Sequence, residues 1–319
     1  MSDHTRLGTG VVRSFQYSKE FEQLITELAQ EKASWPNRPL YLAANLGGPG
    51  SRLVEFATKT VPEIEFHCGT LERQTVLDFG CGTGATTVAL AERCPQVLAF
   101  DIDAKRVEIC KRRLEEHGLA ARVRFVAGVD VADLQQEMEG LALDLVLLNG
   151  VLEHVPLTRH GLRRRILRTL FEMLRPRGHL FINDTPNRLI PVDQHTTQLW
   201  WIPWTRPGSE WAFRHAFRKG RLGSEPPSGG PREMEEAGAW GATYWEITGY
   251  LEGLPWECLN VRAGHDRHIR CRPAGCNRKR DLFEALLYPW AVRLGRVPLT
   301  AFTPDLTNLV IRKREGRAG

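Results

Sequence analysis

Through the middle of the chain, short apolar runs alternate with longer amphipathic stretches. The runs cover residues 75–79, 97–100, 123–126, 143–148 and 179–182, and segments this short and uniformly apolar read as strands buried on both faces of a parallel sheet. Between them the helical period is clear. At 104–117, Val107, Cys110 and Leu114 share one face, Lys105, Lys111, Arg112 and Glu115 turn to water, and Gly118 ends the pattern. At 161–174, Leu162, Ile166, Leu170 and Met173 form a stripe that Arg163, Arg164, Arg165 and Arg168 largely leave, before Pro176 and Gly178 turn the chain.

The flanks are patterned differently. Phe21, Leu24, Ile25 and Leu28 repeat at helical spacing within 20–33, and a weaker helix is predicted over 53–60, after the glycine-rich turn at 47–50. From 191 to 241 the alternation gives way to a Trp-, Pro- and Gly-rich stretch containing SEPPSGGP, so an irregular insertion is expected after the fifth strand. A helix at 244–251 and strands at 256–261 and 306–312 then complete the sheet. The predicted class is α/β: a Rossmann-like, mostly parallel seven-stranded sheet with helices on both faces. Its organisation reads as an N-terminal helical or lid segment over 1–70, a core over 71–190, a substrate-cap insertion over 191–242, and a C-terminal completion of the core over 243–319 that carries a basic loop at 262–281.

Composition narrows the function classes. At 319 residues, 42% hydrophobic and 25% charged, the chain can bury a large core and is too apolar for disorder. No stretch supplies the roughly 20 apolar residues of a membrane span, and the opening MSDHTRLGTG lacks the apolar centre of a signal peptide. A cytoplasmic protein is expected. Seven cysteines without dense spacing point to reduced thiols. The net charge of +5 is spread among acidic residues, so a nucleic-acid partner is the lesser reading, a small molecule the leading one, and a homodimer is compatible.

The candidate chemistry starts at the first strand, which runs directly into Gly80-Cys81-Gly82-Thr83-Gly84 and then a helix-forming segment. A glycine-rich turn at a strand-to-helix junction lets the backbone approach a nucleotide-like ligand. Glycines alone would suit a dinucleotide equally well. However, Asp78 stands two positions before them and Asp101 ends the next strand. Asp101 can accept from two ribose hydroxyls, whereas a carboxylate at Asp78 is awkward beside a pyrophosphate and favourable beside the ammonium of an amino acid. The pair favours an aminoacyl nucleoside over NAD.

VLDFGCGTG, AFDID, FVAGVD and LNGVLEHV, in that order, resemble the motifs of class I S-adenosylmethionine-dependent methyltransferases, most clearly over about residues 70–190. The resemblance implies S-adenosylmethionine as methyl donor and S-adenosylhomocysteine as product. It places Asp78, Gly80, Cys81, Gly82 and Gly84 around the methionine end, Asp101 on the ribose, Ile102 and Val129 beside the adenine, Asp130 on its amino group and Asn149 near the sulfonium. Asp130 suits a helix N-cap equally well, and Asp103 reads as a cap.

Methyl transfer from a sulfonium is mainly a matter of alignment, although a hydroxyl acceptor benefits from a neighbouring base. His195, beyond the carboxyl end of the fifth strand, is the preferred base, with His154 of LeuGluHisVal second. TPNRLIPVDQHTTQLWWIPW is similar to a run in bacterial methyltransferases of the ubiquinone-biosynthesis type and in others acting on small metabolites or sugars. The similarity places Asn187 and Arg188 near the acceptor. Of the clustered Trp200, Trp201, Trp204 and Trp211, Trp200 and Trp204 are taken as pocket walls and the rest as core of the insertion.

No metal is assigned to the reaction. His265, His268, Cys271 and Cys276 have zinc-type side chains, but their spacing matches no zinc pattern and an incidental loop is expected. Arg262, Arg267, Arg270, Arg272 and residues 277–280 form a basic stretch, read as a solvated loop. The leading expectation is therefore methylation of a small molecule, most readily at a hydroxyl of a metabolite, sugar or natural product. RNA or protein methylation comes second, and a nucleoside-binding scaffold without activity is the competitor from outside the enzymes.

Overall fold

A computed structural model describes residues 15–31, 38–126, 131–222, 229–262, 264–265, 282 and 285–315. The chain forms two compact units, Met1–Leu141 and Ala142–Gly319. Seven strands give the mostly parallel α/β sheet that the apolar runs predict, in the spatial order Val123–Phe125, Gln96–Phe100, Thr75–Phe79 in the first unit and Leu143–Asn149, Leu174–Asn183, Leu309–Lys313, Trp256–Cys258 in the second.

In the first unit, β1 (Thr75–Phe79), β2 (Gln96–Phe100) and β3 (Val123–Phe125) pair in parallel, with Val76 opposite Val97 and Val97 opposite Val123. Helices Ala85–Ala91 and Ala104–Glu116 connect them. Asp103 caps the second helix by accepting from the Lys105 and Arg106 amides, as its side chain predicts. The N-terminal helix Lys19–Glu31 buries Phe21, Ile25 and Leu28 together with Tyr17 and Ile109. The weak helix expected at 53–60 is part of a longer helical run: Arg52–Glu55, a π-helical turn Phe56–Thr60, then Val61–Cys68.

Arg113 departs from the amphipathic pattern, because it is fully buried on the apolar side of its helix. Its guanidinium donates to the Thr83 carbonyl at 2.7 Å, the Tyr17 hydroxyl at 2.6 Å and the Asn45 carbonyl at 2.9 Å, and it lies over the Tyr17 and Phe21 rings. A buried guanidinium needs such a full set of acceptors.

In the second unit, β4 (Leu143–Asn149) pairs in parallel with β5 (Leu174–Asn183), and β9 (Leu309–Lys313) pairs antiparallel with both β5 and β7 (Trp256–Cys258). β6 (Thr185–Pro186) and β8 (Asp305–Leu306) make a separate two-stranded pair. Two predicted strands are shorter than their apolar runs. The run at 256–261 ends at Cys258 because the Asn260 side chain accepts from the Val310 amide at 2.7 Å, where a strand neighbour would otherwise pair. The run at 306–312 is broken by Asn308, which takes φ +53° and donates its amide to Asn183 Oδ1 at 3.1 Å.

The insertion is more ordered than its composition suggests. It contains helices Glu210–Arg218 and Gly230–Glu236 and a core of its own, with Ile202, Phe213, Met234 and Trp240 buried together. Trp240 is fully buried and donates Nε1–H to Thr205 Oγ1 at 3.1 Å. Trp201 and Trp211, expected in that core, are each more than half exposed, as are Trp200 and Trp204. Arg163 is a second correction to the amphipathic reading, being buried within the Leu162–Glu172 helix. The five described cysteines are in no disulfide, and no described helix is long and apolar enough to cross a membrane.

Candidate active site

The glycine turn of the first unit is shaped from beneath by Asp101. Gly80 and Cys81 donate their amides to the Phe100 carbonyl at 2.7 and 3.0 Å, which draws the turn over the end of β2. Gly82 donates to Asp101 Oδ2 at 2.8 Å, and Asp103 to Oδ1 at 2.9 Å, so both carboxylate oxygens are aimed by backbone amides. Gly84 has φ +87°, and a Cβ there would sit 2.6 Å from the Cys110 sulfur, so only glycine lets the turn rest on the Ala104–Glu116 helix. At Gly82 an added Cβ would meet nothing within 4 Å. Thr83 is anchored from the N-terminal segment, its hydroxyl donating to Asn45 Oδ1 at 2.7 Å.

Asp78 is buried below this turn and accepts from Thr87 Oγ1–H at 2.7 Å. Burial raises its carboxyl to a pKa of about 7. A cationic group brought to it would restore the charged form. Cys81 is also buried, and hydrogen bonding with Cys110 together with burial holds its thiol well above the usual range. Ile102 is 71% exposed beside Asp101, an apolar surface of the kind an adenine covers. Val129 and Asp130 lie outside the described residues.

In the second unit, Asn149 at the end of β4 accepts from Asn183 Nδ2 at 2.8 Å, and the Gly150 amide donates to the Asn183 carbonyl at 3.0 Å. The chain then makes a 3-10 turn, Leu152–His154. This turn brings together three side chains of which sequence reasoning assigned only two. Glu153, His154 and His195 place one donor atom each within 4.8 Å of one another, and the two imidazole rings lie 5.4 Å apart.

Each member is held in place. His154 Nδ1 lies 2.8 Å from the Glu236 carbonyl oxygen. A carbonyl only accepts, so Nδ1 carries the hydrogen and Nε2 presents its lone pair towards Glu153 Oε1, 3.9 Å away. His195 is exposed, on a loop pinned by Asp193, which accepts from the amides of His195, Thr196 and Thr197. Glu153 is buried, with burial raising its pKa to about 8. Gly238 clears the space between them: at φ +97°, a Cβ would lie 2.8 Å from His195 Cδ2 and 3.0 Å from Glu153 Cγ.

Two residues that sequence reasoning missed frame this cluster. Arg163 donates to the carbonyls of Val155 at 2.7 Å, Gly241 at 2.5 Å and Glu153 at 3.4 Å. Glu235 accepts from the Leu157 and Thr158 amides at 2.6 and 2.9 Å and so locks the Gly230–Glu236 helix over the turn. The available signal for Glu153 was a carboxylate inside the otherwise apolar GVLEHV, directly after a strand buried along its length.

The other predicted acceptor residues do structural work here. Asn187 is buried and donates to the Ala301 and Thr303 carbonyls, both at 2.8 Å, while its Oδ1 accepts from the Leu189 amide. Arg188 pairs with Glu246. Trp204 donates Nε1–H to the Arg188 and Leu189 carbonyls and leaves its ring exposed, and Trp200 is 61% exposed. Of the zinc-type side chains at 265–276, only His265 is among the described residues. Arg262, from the basic stretch, pairs with Glu257.

Residues 76–178 match the family described as "Methyltransferase domain". Over this stretch the chain is thus similar to methyltransferase domains. Over 111 residues the chain is 34% identical to the tRNA 5-carboxymethoxyuridine methyltransferase of Escherichia coli K12, covering 34% of this chain and 39% of that protein. Over 145 residues it is 30% identical to the ubiquinone biosynthesis O-methyltransferase of Idiomarina loihiensis, covering 44% and 56%. A solved S-adenosylmethionine-dependent methyltransferase from Clostridium acetobutylicum is similar with a TM-score of 0.37 at 16% identity, over 44% of this chain and 54% of that one. The match thus spans about two fifths to just over half of these curated relatives.

Proposed function

We propose that this protein transfers the methyl group of S-adenosylmethionine to a small-molecule acceptor, at a hydroxyl oxygen, and releases S-adenosylhomocysteine. The donor half of the reading is supported by Asp101, whose two oxygens are aimed by the Gly82 and Asp103 amides at the edge of the glycine turn. In this reading Asp78 receives the donor's ammonium, Asp101 its ribose and Ile102 its adenine.

The observation that carries the acceptor half is the Glu153–His154–His195 cluster, which gathers proton-accepting groups just beyond β4. A hydroxyl held there can be relieved of its proton as the O–C bond forms and the C–S bond breaks, with the electron pair staying on sulfur. Trp200 and Trp204 supply exposed ring surface for an apolar or planar acceptor. A cytoplasmic site of action belongs to the same proposal.

A second reading, an RNA acceptor, draws on the tRNA methyltransferase among the relatives. It also has a feature of the chain in its favour: a cavity of about 720 Å³ beside β7 is lined by Arg262, Arg293, Arg296 and Arg314. The deciding experiment incubates the full chain with S-adenosylmethionine and panels of phenols, sugars, carboxylates and tRNA, and follows S-adenosylhomocysteine release by mass spectrometry. Turnover with a hydroxyl compound supports the first reading. Turnover with tRNA alone replaces it by the second, and tight NAD binding with no response to S-adenosylhomocysteine removes both.

A further inference from the structure

We propose that Glu153, His154 and His195 form a binding site for a divalent transition cation of the zinc type. The inference deepens the hydroxyl-methylation reading and rests on it only for the cation's consequence in catalysis. Cation binding itself stands on the geometry.

Two imidazoles and one carboxylate are a donor set suited to zinc and its first-row neighbours. With metal–ligand bonds of roughly 2.0–2.2 Å, two donors on one ion are separated by no more than about 4.4 Å. Glu153 Oε1 and His154 Nε2, 3.9 Å apart, already meet that limit. All three donor atoms fall within 4.8 Å of one another, with His195 the exposed member.

Three independent features point into the same space. The Glu153 side chain is fully buried and its Oε1 has no hydrogen-bond partner among the described residues, a costly arrangement for a carboxylate unless something cationic completes it. The nearby Arg163 does not serve, because its hydrogen bonds go to the Val155, Gly241 and Glu153 carbonyls. The Glu236 carbonyl fixes the His154 tautomer and turns Nε2 inward, the arrangement that outer hydrogen bonds give to metal-ligating histidines. Gly238, by lacking a Cβ, lets His195 and Glu153 approach from two separate segments. Three protein donors leave coordination positions for an acceptor oxygen, which is how the site would serve the proposed reaction.

The test uses the full chain, stripped with chelator, and zinc chloride alone in calorimetry, with cobalt(II) as a spectroscopic substitute. The expected result is one equivalent of zinc and visible cobalt bands. His195→Ala, at an exposed position, should weaken zinc binding by at least about tenfold, Glu153→Gln should do the same, and His160→Ala, at an exposed histidine outside the cluster, should change nothing. Absence of saturable zinc binding overturns the proposal. So does binding that survives His195→Ala but is lost in Cys271→Ser, which would move the ion to residues 265–276. Because no methyl donor or acceptor is present, a negative result leaves the methyl-transfer reading intact.

Discussion

Gly82 and Asp101 are joined by a 2.8 Å bond from the glycine amide to the carboxylate Oδ2, so one side chain both shapes the glycine turn and faces the proposed ribose site. Asp101→Ala should therefore lower affinity for S-adenosylhomocysteine by roughly ten- to a hundredfold, the range for losing a hydrogen bond to a charged group. Asp101→Asn should help little, since both oxygens accept from backbone amides and its NH2 would face one of those donors. Calorimetry on both variants, with Tm measured alongside, checks this. Unchanged affinity in a folded Asp101→Ala protein would place the ribose elsewhere.

The two glycines on either side of Thr83 should respond differently to alanine. At Gly84 the new methyl would collide with Cys110 at a backbone φ of +87°, so crowding and left-handed strain add to a loss of roughly 2–4 kcal/mol in urea unfolding. At Gly82 the methyl has open space, and only the strain of its φ of +53° applies, about 1–2 kcal/mol. Gly82→Ala should instead weaken cofactor binding, because the open space is where the ligand is proposed to lie. Equal stability losses for the two variants would contradict the packing described for Gly84.

Cofactor affinity should depend on pH through Asp78. Its carboxyl is raised to about 7 in the free protein, and an ammonium placed beside it favours the ionised form. The complex then binds fewer protons than the free protein, so affinity for S-adenosylhomocysteine should rise as pH increases from about 5.5 to 7 and level off above. Calorimetry in buffers of different ionisation enthalpy should register the released proton near pH 6. A flat profile, or one that Asp78→Asn leaves intact, would separate Asp78 from the ammonium.

The donor half of this protein was legible because its signals are local. A strand, a glycine turn and a second strand followed by Asp101 lie within 27 residues of one another in sequence, residues 75–101, and each shows its role in its own side chains or in its lack of them. The cluster beyond β4 was only half legible. His154 and His195 stand out as residue types, but what gathers them is Gly238, the Glu236 carbonyl and the Arg163 guanidinium, contributed by segments up to 75 positions apart. Arg163 was misread, and the burial of Arg113 went unpredicted, for a common reason. A helical wheel assigns arginine to water, and only the tertiary fold supplies the carbonyls that let it enter the core.

Arg163 should be among the costliest single positions in the second unit. Its three carbonyl partners are buried with it, so Arg163→Ala leaves them without donors, and a loss of about 3–5 kcal/mol is expected from breaking such a network. Arg163→Lys keeps the charge but not the planar fork and should recover only part of that. Urea unfolding measures both. A loss below about 1 kcal/mol for Arg163→Ala would mean that water replaces the guanidinium without penalty.

His179 should make the protein sensitive to acid. It lies in β5 opposite Arg312, and burial, reinforced by the positive charges of Arg312, His265 and Arg175, lowers its pKa from 6.5 to about 4, against the opposing pull of Asp144. Between those two values the unfolded chain binds a proton at this residue that the folded chain refuses, so protonation favours unfolding. The stabilising effect of a neutral His179 is complete above pH 6.5 and is lost progressively as pH falls towards 4. Urea midpoints of the natural protein should fall over that window more steeply than those of His179→Gln, which has no proton to take up. Parallel profiles for the two proteins would show that the imidazole is reached by solvent and contributes nothing to the acid response.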